Sequence, residues 1–338
     1  MENNQTIVPP HLNAEVYRSD TTGTSTLSYL DYIRLHPDGT ILIGCSELTG
    51  RYWNGGVNII QCEGKDKKFD KTEKKNISLT SGTADGCFVE NSNKVLLCED
   101  SGAVSIWTTS DDAWKQWTEE LSVAEHDDVI LCVDCLESGK KYVTAGADGN
   151  VKVWDICDLV CVRNYDSAHT MAVSNVSVRP KSHTFATGSL DQFISLWDEN
   201  IFQPVCDIVK NNCGIRCLQW LDENRLVYGD DVGVLSLVDI RKPGEGTKLS
   251  EFPAAVHQLA VKSGSNKVAV CCDNKTVTVY EITSNSKINM TYKNGKLHNG
   301  FVRGLSWDVR DEDVLYSVGW DGELCKHNVN EKRIKEDS

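Results

Sequence analysis

Residues 146–156 read GADGNVKVWDI. Gly146, Asp148, Gly149 and Asn150 are turn formers that tolerate unusual backbone angles. Val151, Val153 and Ile156 are β-branched, and Lys152 interrupts them, which gives the two-residue alternation of a half-buried strand. Trp154 and Asp155 close the run. The same pattern returns at 188–199, GSLDQFISLWDE, and weaker copies lie on either side. A turn-and-strand unit that recurs is the mark of a repeat architecture, so the copies have to be counted.

Asp100, Asp148, Asp191, Asp231, Asp273 and Asp321 follow one another at intervals of 48, 43, 40, 42 and 48 residues. That is the period of a WD40 blade, about 40–45 residues and four strands. With a leading copy that has no clear turn aspartate, seven units result. No helical pattern of about ten residues intervenes, which excludes a parallel α/β sheet. The expected fold class is therefore all-β, a seven-bladed WD40 β-propeller, whose ring closes without long unpaired edges. The seventh unit stops three strands in, near Asn328, so an N-terminal segment around 14–18 is expected to complete the last blade. The domain reading is a flexible arm over 1–12, the propeller over 13–329 and a charged tail over 330–338.

The chain has 338 residues, of which 35 are basic and 49 acidic, for a net charge of −14. The field of such a molecule repels nucleic acid and anionic membranes and attracts basic partners. Fourteen cysteines are present. Residues 1–10 have no apolar core of a signal peptide, and no apolar run approaches the ~18 residues of a membrane helix. The cysteines are then expected as small buried hydrophobes, with Cys45, Cys98, Cys132, Cys271 and Cys325 in strand-like runs, and the compartment as cytoplasmic and nuclear.

His126 and His169 each lie 22 residues before an aspartate, Asp148 and Asp191, and His298 lies 23 before Asp321. Trp154 and Trp197 follow two of those aspartates by six. Such residues, with Thr144 in one unit and Thr187 or Ser189 in the next, form a buried hydrogen-bond relay inside a blade, tolerated only when fully satisfied. The recurrence argues against a single His–Asp active site. Cys132 and Cys135, three apart on a strand, point to opposite faces and have no matching pair to complete a zinc site. No phosphate loop, nucleophile elbow or dinucleotide fingerprint is present. No catalytic residue, metal or cofactor is expected.

Residues 46–54, SELTGRYWN, read as a longer insertion than the other copies carry, and 64–75 as a lysine-rich loop. Arg51, Tyr52 and Trp53 in that insertion are residue types that anchor interfaces. A second exposed candidate is the loop His298–Asn299–Gly300–Phe301. Units seven and one are neighbours in a closed ring, so the two loops are placed to share one interface.

The combination of Gly50–Trp53, Asp100–Val104 with Ile106 and Trp107, 125–129 (EHDDV), Phe301–Arg303 with Trp307, and Val318–Asp321 resembles the methylosome WD-repeat subunits, the methylosome protein 50 and Valois-type proteins, over about 30–328. The resemblance implies a non-catalytic adaptor. Its family docks on the TIM-barrel domain of protein arginine methyltransferase 5 and helps present arginine-rich substrates, histones and Sm proteins, for symmetric dimethylation, with the catalytic site on the other chain. Arg51 and Trp53 would insert into the TIM barrel and Phe301 would pack at the same contact. Tyr52 and the N-terminal arm depart from the family's pattern. An acidic surface would draw basic tails, less so at high salt. Two alternatives stand beside it. Val238–Arg241 partly matches the WDxR pattern of cullin-type ubiquitin-ligase substrate receptors, without its Trp. A ribonucleoprotein or germ-granule scaffold binding tudor-type proteins is the other.

Overall fold

The structure is a computed structural model that describes residues 29–49, 52–61, 76–110, 116–136, 139–244, 246–283 and 286–330. The described residues form twenty-seven strands and no helix. Blade 1 is β1 (Tyr29–Leu35), β2 (Thr40–Thr49), β3 (Tyr52–Gln61) and β4 (Ile77–Leu79). Blade 2 is β5 (Thr83–Val89), β6 (Asn91–Glu99), β7 (Ala103–Thr108) and β8 (Thr118–Ala124). Blade 3 is β9 (Ile130–Cys135), β10 (Lys141–Gly146), β11 (Val151–Asp155) and β12 (Val160–Tyr165). Blade 4 is β13 (Val173–Val178), β14 (Thr184–Ser189), β15 (Phe193–Asp198) and β16 (Cys206–Lys210). Blade 5 is β17 (Ile215–Trp220), β18 (Arg225–Asp230), β19 (Val234–Asp239) and β20 (Thr247–Glu251). Blade 6 is β21 (Val256–Val261), β22 (Lys267–Cys272), β23 (Val277–Ile282) and β24 (Ile288–Asn294). Blade 7 is β25 (Val302–Trp307), β26 (Val314–Gly319) and β27 (Leu324–Asn328). Every blade is an antiparallel meander in chain order. The repeat count read from the sequence thus gives seven blades. The arm over 1–12, the closing segment near 14–18, the loop over 64–75 and residues 331–338 of the tail lie outside the described residues.

Alternating apolar residues place two core faces on each blade, and neighbouring blades share one cluster. Blades 3 and 4 meet through Val143, Val153 and Tyr165 against Val173, Phe185 and Trp197. Blades 7 and 1 meet through Val314, Tyr316 and Val318 against Leu30, Ile33, Ile41 and Ile43. The ring therefore closes through core packing between its first and last blades. Gly304 marks how close they come: a Cβ there would stand 3.0 Å from the Ile33 backbone nitrogen.

The inner strands surround a central cavity of about 650 Å³. Its polar lining ties blades together. Asp85 Oδ2 accepts from the Val133 amide at 3.1 Å, Asp134 Oδ2 from Val178 at 2.7 Å, Gln219 Oε1 from Val261 at 2.6 Å and Gln258 Oε1 from Leu305 at 2.7 Å. Arg34 Nη2 reaches both oxygens of Asp85 at 2.8 and 2.6 Å. These buried and half-buried groups find their partners within the ring.

Cys45, Cys98, Cys132 and Cys271 are buried, but Cys325 is half-buried and Cys157 and Cys206 are exposed, so the cysteines are not uniformly core residues. Cys132 packs between blades 3 and 4 while Cys135 packs towards blade 2, on opposite faces of β9.

Candidate functional site

In an antiparallel meander, the turns between second and third strands and the loops entering each blade share one face of the ring. The histidine relays sit on that face. In blade 3, Trp154 Nε1 donates to Thr144 Oγ1 at 2.7 Å, and Thr144 Oγ1 lies 2.9 Å from His126 Nε2. His126 Nδ1 lies 2.8 Å from Asp148 Oδ2. A carboxylate only accepts, so the proton is on Nδ1 and Nε2 accepts from the threonine. Burial pushes the Asp148 carboxyl up, but His126 and the amides of Asn150 and Asp127 outweigh it and hold it at about 2. Blade 4 repeats the chain with Trp197, Thr187, His169 and Asp191, at 2.8, 2.7 and 3.0 Å. Thr187 is the hydroxyl, and Ser189 instead donates to the carbonyls of Met171 and Ala172.

Blade 7 differs. His298 Nδ1 lies 3.1 Å from both Asp321 oxygens, and Ser317 Oγ lies 2.7 Å from His298 Nε2. His327 takes the place of the tryptophan, with Nε2 2.6 Å from Ser317 Oγ. Its Nδ1 lies 3.0 Å from the Tyr292 hydroxyl of blade 6. The serine donates to His298, so His327 donates from Nε2 and accepts at Nδ1, and must be neutral. Burial holds it at about 3. His327 went unnoticed in the sequence although it follows Asp321 by six, the offset of Trp154 and Trp197 from their aspartates.

This relay aims the loop that carries Phe301. Asp321 Oδ2 accepts from the Asn299 amide at 2.7 Å, and the Trp320 amide donates to the Phe301 carbonyl at 2.9 Å. Phe301 is 45% exposed and Trp320 38%, with ring centroids 5.9 Å apart. Tyr29, at the start of blade 1, meets Trp320 edge-on at 5.9 Å. Arg303 lies 3.9 Å over the Trp320 ring and 5.7 Å from that of Phe301. Trp320 Nε1 donates to Asp31 Oδ1 at 2.9 Å, and Ser46 Oγ donates to Asp31 Oδ2 at 2.6 Å. The result is an exposed aromatic shelf across blades 7 and 1, held from beneath by one arginine and one aspartate. Tyr29, Arg303 and Trp320 were not singled out from sequence as site residues. The available signal was a tryptophan just before the relay aspartate, where blade 3 has Ala147 and blade 4 Leu190.

Residues 46–49 and 52–54 are strand rather than loop. β2 and β3 run on in register, Ser46 with Gly55, Glu47 with Asn54, Leu48 with Trp53 and Thr49 with Tyr52. Thr, Tyr and Trp favour strands, so the extra length at 46–49 and 52–54 extends the sheet. Arg51 lies outside the described residues, as do the side chains of Tyr52 and Trp53. The backbone of the hairpin rises from the same face as the shelf, since Ser46 pairs with Tyr29.

The six spacing aspartates fall into two classes by register. Asp148, Asp191 and Asp321 belong to relays. Asp100, Asp231 and Asp273 sit one position earlier, where their amides bond to the carbonyls of Gly82, Gly214 and Ala255, as Ala147, Leu190 and Trp320 bond to their own incoming loops. These rim positions surround the cavity mouth. Facing them are residues at register shifts in the inner strands: Ala84 in blade 2, Leu131 in blade 3, Arg216 in blade 5, His257 in blade 6 and Arg303 in blade 7. Arg216 Nε donates to Asp231, and Arg303 Nη1 donates to Asp273 at 2.9 Å and to His257 Nδ1 at 2.9 Å. Burial, then the charges of Arg303 and Arg216, holds His257 at about 3.

On the opposite face, Arg241 grips Asp239 from Nε and Nη2 at 2.9 and 2.5 Å. Among the described residues no group of three or more potential ligands is placed to hold a metal ion.

The WD40 family (WD domain, G-beta repeat) matches at 117–155 and 159–198, across blades 2 to 4. The chain is 26% identical over 306 residues to methylosome protein WDR77 of Xenopus laevis, covering 88% of each chain. It is 24% identical over 271 residues to a ribosome biogenesis protein WDR12 homolog of Drosophila mojavensis, covering 70% of this chain and 60% of the relative. With WD repeat-containing protein 37 of Xenopus laevis it shares 22% over 218 residues, 62% of this chain and 43% of the relative. The chain is thus a seven-bladed β-propeller with two stretches that match WD40 repeats, and it is similar along nearly its whole length to a methylosome WD-repeat protein, as the blade-specific motifs of its sequence lead one to expect.

Proposed function

We propose that this chain is a non-catalytic adaptor of a methylosome-type complex, docking protein arginine methyltransferase 5 through the face of blades 7 and 1. One observation carries the reading. The shelf of Phe301, Trp320 and Tyr29 is exposed yet rigidly built, and it stands beside the extended β2–β3 hairpin that carries Arg51 and Trp53. Aromatic side chains held in place lose little entropy on binding, which makes such shelves interface centres. The likeness to a methylosome protein over 88% of both chains supports the kind of partner. Arginine-rich histone and Sm-type substrates would be presented by the same complex, in cytoplasm and nucleus.

The test mixes the purified chain with the methyltransferase and measures affinity and co-elution. Trp320→Ala and Phe301→Ala should each weaken binding by about 2 kcal/mol, roughly thirtyfold. Arg51→Ala and Trp53→Ala should do the same. Failure of the wild-type chain to bind would end the adaptor reading. Turnover of a histone peptide by this chain alone would end the non-catalytic one.

A further inference from the structure

The three rim aspartates offer a comparison within one molecule. In blade 5, Asp231 is met by the guanidinium of Arg216 from its own inner strand. In blade 6, Asp273 is met by the guanidinium of Arg303 from the next blade at 2.9 Å. Asp100 holds the same backbone position in blade 2, with its amide on the Gly82 carbonyl at 2.9 Å. The residues that face it from its own blade and the next are Ala84 and Leu131, which carry no charge. Among the described residues no cation meets the Asp100 carboxylate. The fold thus shows twice that this rim position accepts a guanidinium, and once leaves it to solvent.

The surroundings are suited to the same ligand. Ala84 and Leu131 offer an apolar wall for the methylenes of a long basic side chain, whose head stays at the rim. Asp31 lies on the same side of the mouth, held by Ser46 and Trp320. Burial, then the charge of Glu99, raises the Asp100 carboxyl, and burial raises that of Asp31. An incoming cation relieves both.

We propose that Asp100, with Ala84 and Leu131, is a receptor for one arginine side chain of a basic peptide segment, bound at the cavity mouth as Arg216 is bound to Asp231. That the segment is a methylation substrate rests on the adaptor reading; the binding itself belongs to this chain alone. Arginine is favoured over lysine because a planar guanidinium engages a carboxylate through two parallel bonds.

The experiment uses the purified full chain without methyltransferase. A fluorescent peptide of alternating glycine and arginine is titrated by anisotropy, with its lysine counterpart alongside. The arginine peptide should bind more tightly than the lysine one. Asp100→Asn should weaken it about tenfold. Ala84→Arg should weaken it as much, by supplying from within the guanidinium that blade 5 already has. Asp231→Asn, whose partner is internal, should stay within about twofold. Thermal melts report whether each variant is folded, and Ala84→Arg covers the case in which Asp100→Asn is not. Equal arginine and lysine affinities, or wild-type binding by both Asp100→Asn and Ala84→Arg, would overturn the proposal. Co-elution with the methyltransferase separates the two ideas. If Asp100→Asn and Ala84→Arg weaken peptide binding while the wild-type chain ignores the enzyme, the adaptor reading falls and this site stands. If the enzyme binds and no variant alters peptide affinity, the reverse holds.

Discussion

At the scale of single residues, the relays turn buried polar atoms into fixed geometry. Thr144, Thr187 and Ser317 each stand between two nitrogen-bearing rings. Ser317→Ala leaves His298 and His327 each short of a partner in a buried site, and should cost about 1–3 kcal/mol in urea unfolding. A cost below experimental error would mean that the relay is not a stability element. His327 also gives stability a pH dependence. Its folded value of about 3 lies below the ordinary 6.5, so between those values the unfolded chain binds the extra proton. Its contribution is full above about 6.5 and drains away as pH falls towards 3, with a slope approaching about 1.4 kcal/mol per pH unit. Urea midpoints at pH 7.5 and 5 should differ less in His327→Gln than in the wild type. An unchanged difference would show that this histidine does not carry the slope.

At the scale of elements, the turn between β26 and β27 of blade 7 couples fold to recognition. Gly319 lies against the loop entering the blade, and a Cβ there would stand 2.6 Å from the Phe301 carbonyl and 3.1 Å from His298 Nδ1. Gly319→Ala must push that loop outward. It should weaken docking more than it lowers the melting temperature, because the methyl displaces Phe301 while the inter-blade core is untouched. Paired affinity and melting measurements decide this, and an intact affinity would uncouple loop and shelf. The hairpin of blade 1 teaches a related lesson. Its length was visible in the sequence, but a long stretch between two strand patterns reads equally as a loop or as more strand. Only the paired register of 46–49 with 52–55 settles which.

Across the whole molecule, seven blades share seven apolar junctions, and each blade touches only its neighbours. The junction of blades 7 and 1 closes the ring, so its core has a weight that no internal position signals. Ile33, fully buried there against Val314, Tyr316 and Val318, should cost about 2–4 kcal/mol when replaced by alanine. Urea unfolding measures it, and a loss under about 1 kcal/mol would mean that this junction is not what holds the ring shut.

The blade count, the strand order and the relays of blades 3 and 4 were legible in the chain because they repeat, whereas Ser317 and His327 depart from the repeated residue types and were not. Each legible feature depends on local alternation and on fixed offsets, such as 22 residues from His126 to Asp148, which survive without any knowledge of three dimensions. The rim was not legible. Asp100 and Asp148 look alike in a list of spacings, yet one position of register sends the first to the cavity mouth and the second into a relay. Nor does the sequence bring Trp320 to Asp31, or Arg303 to Asp273, across 289 and 30 residues. The first meeting follows from ring closure and the second from the packing of consecutive blades 6 and 7, which set residues distant in the chain side by side. The sequence by itself determined the propeller; the closed ring decided which of its charges are paired and which face outward for a partner.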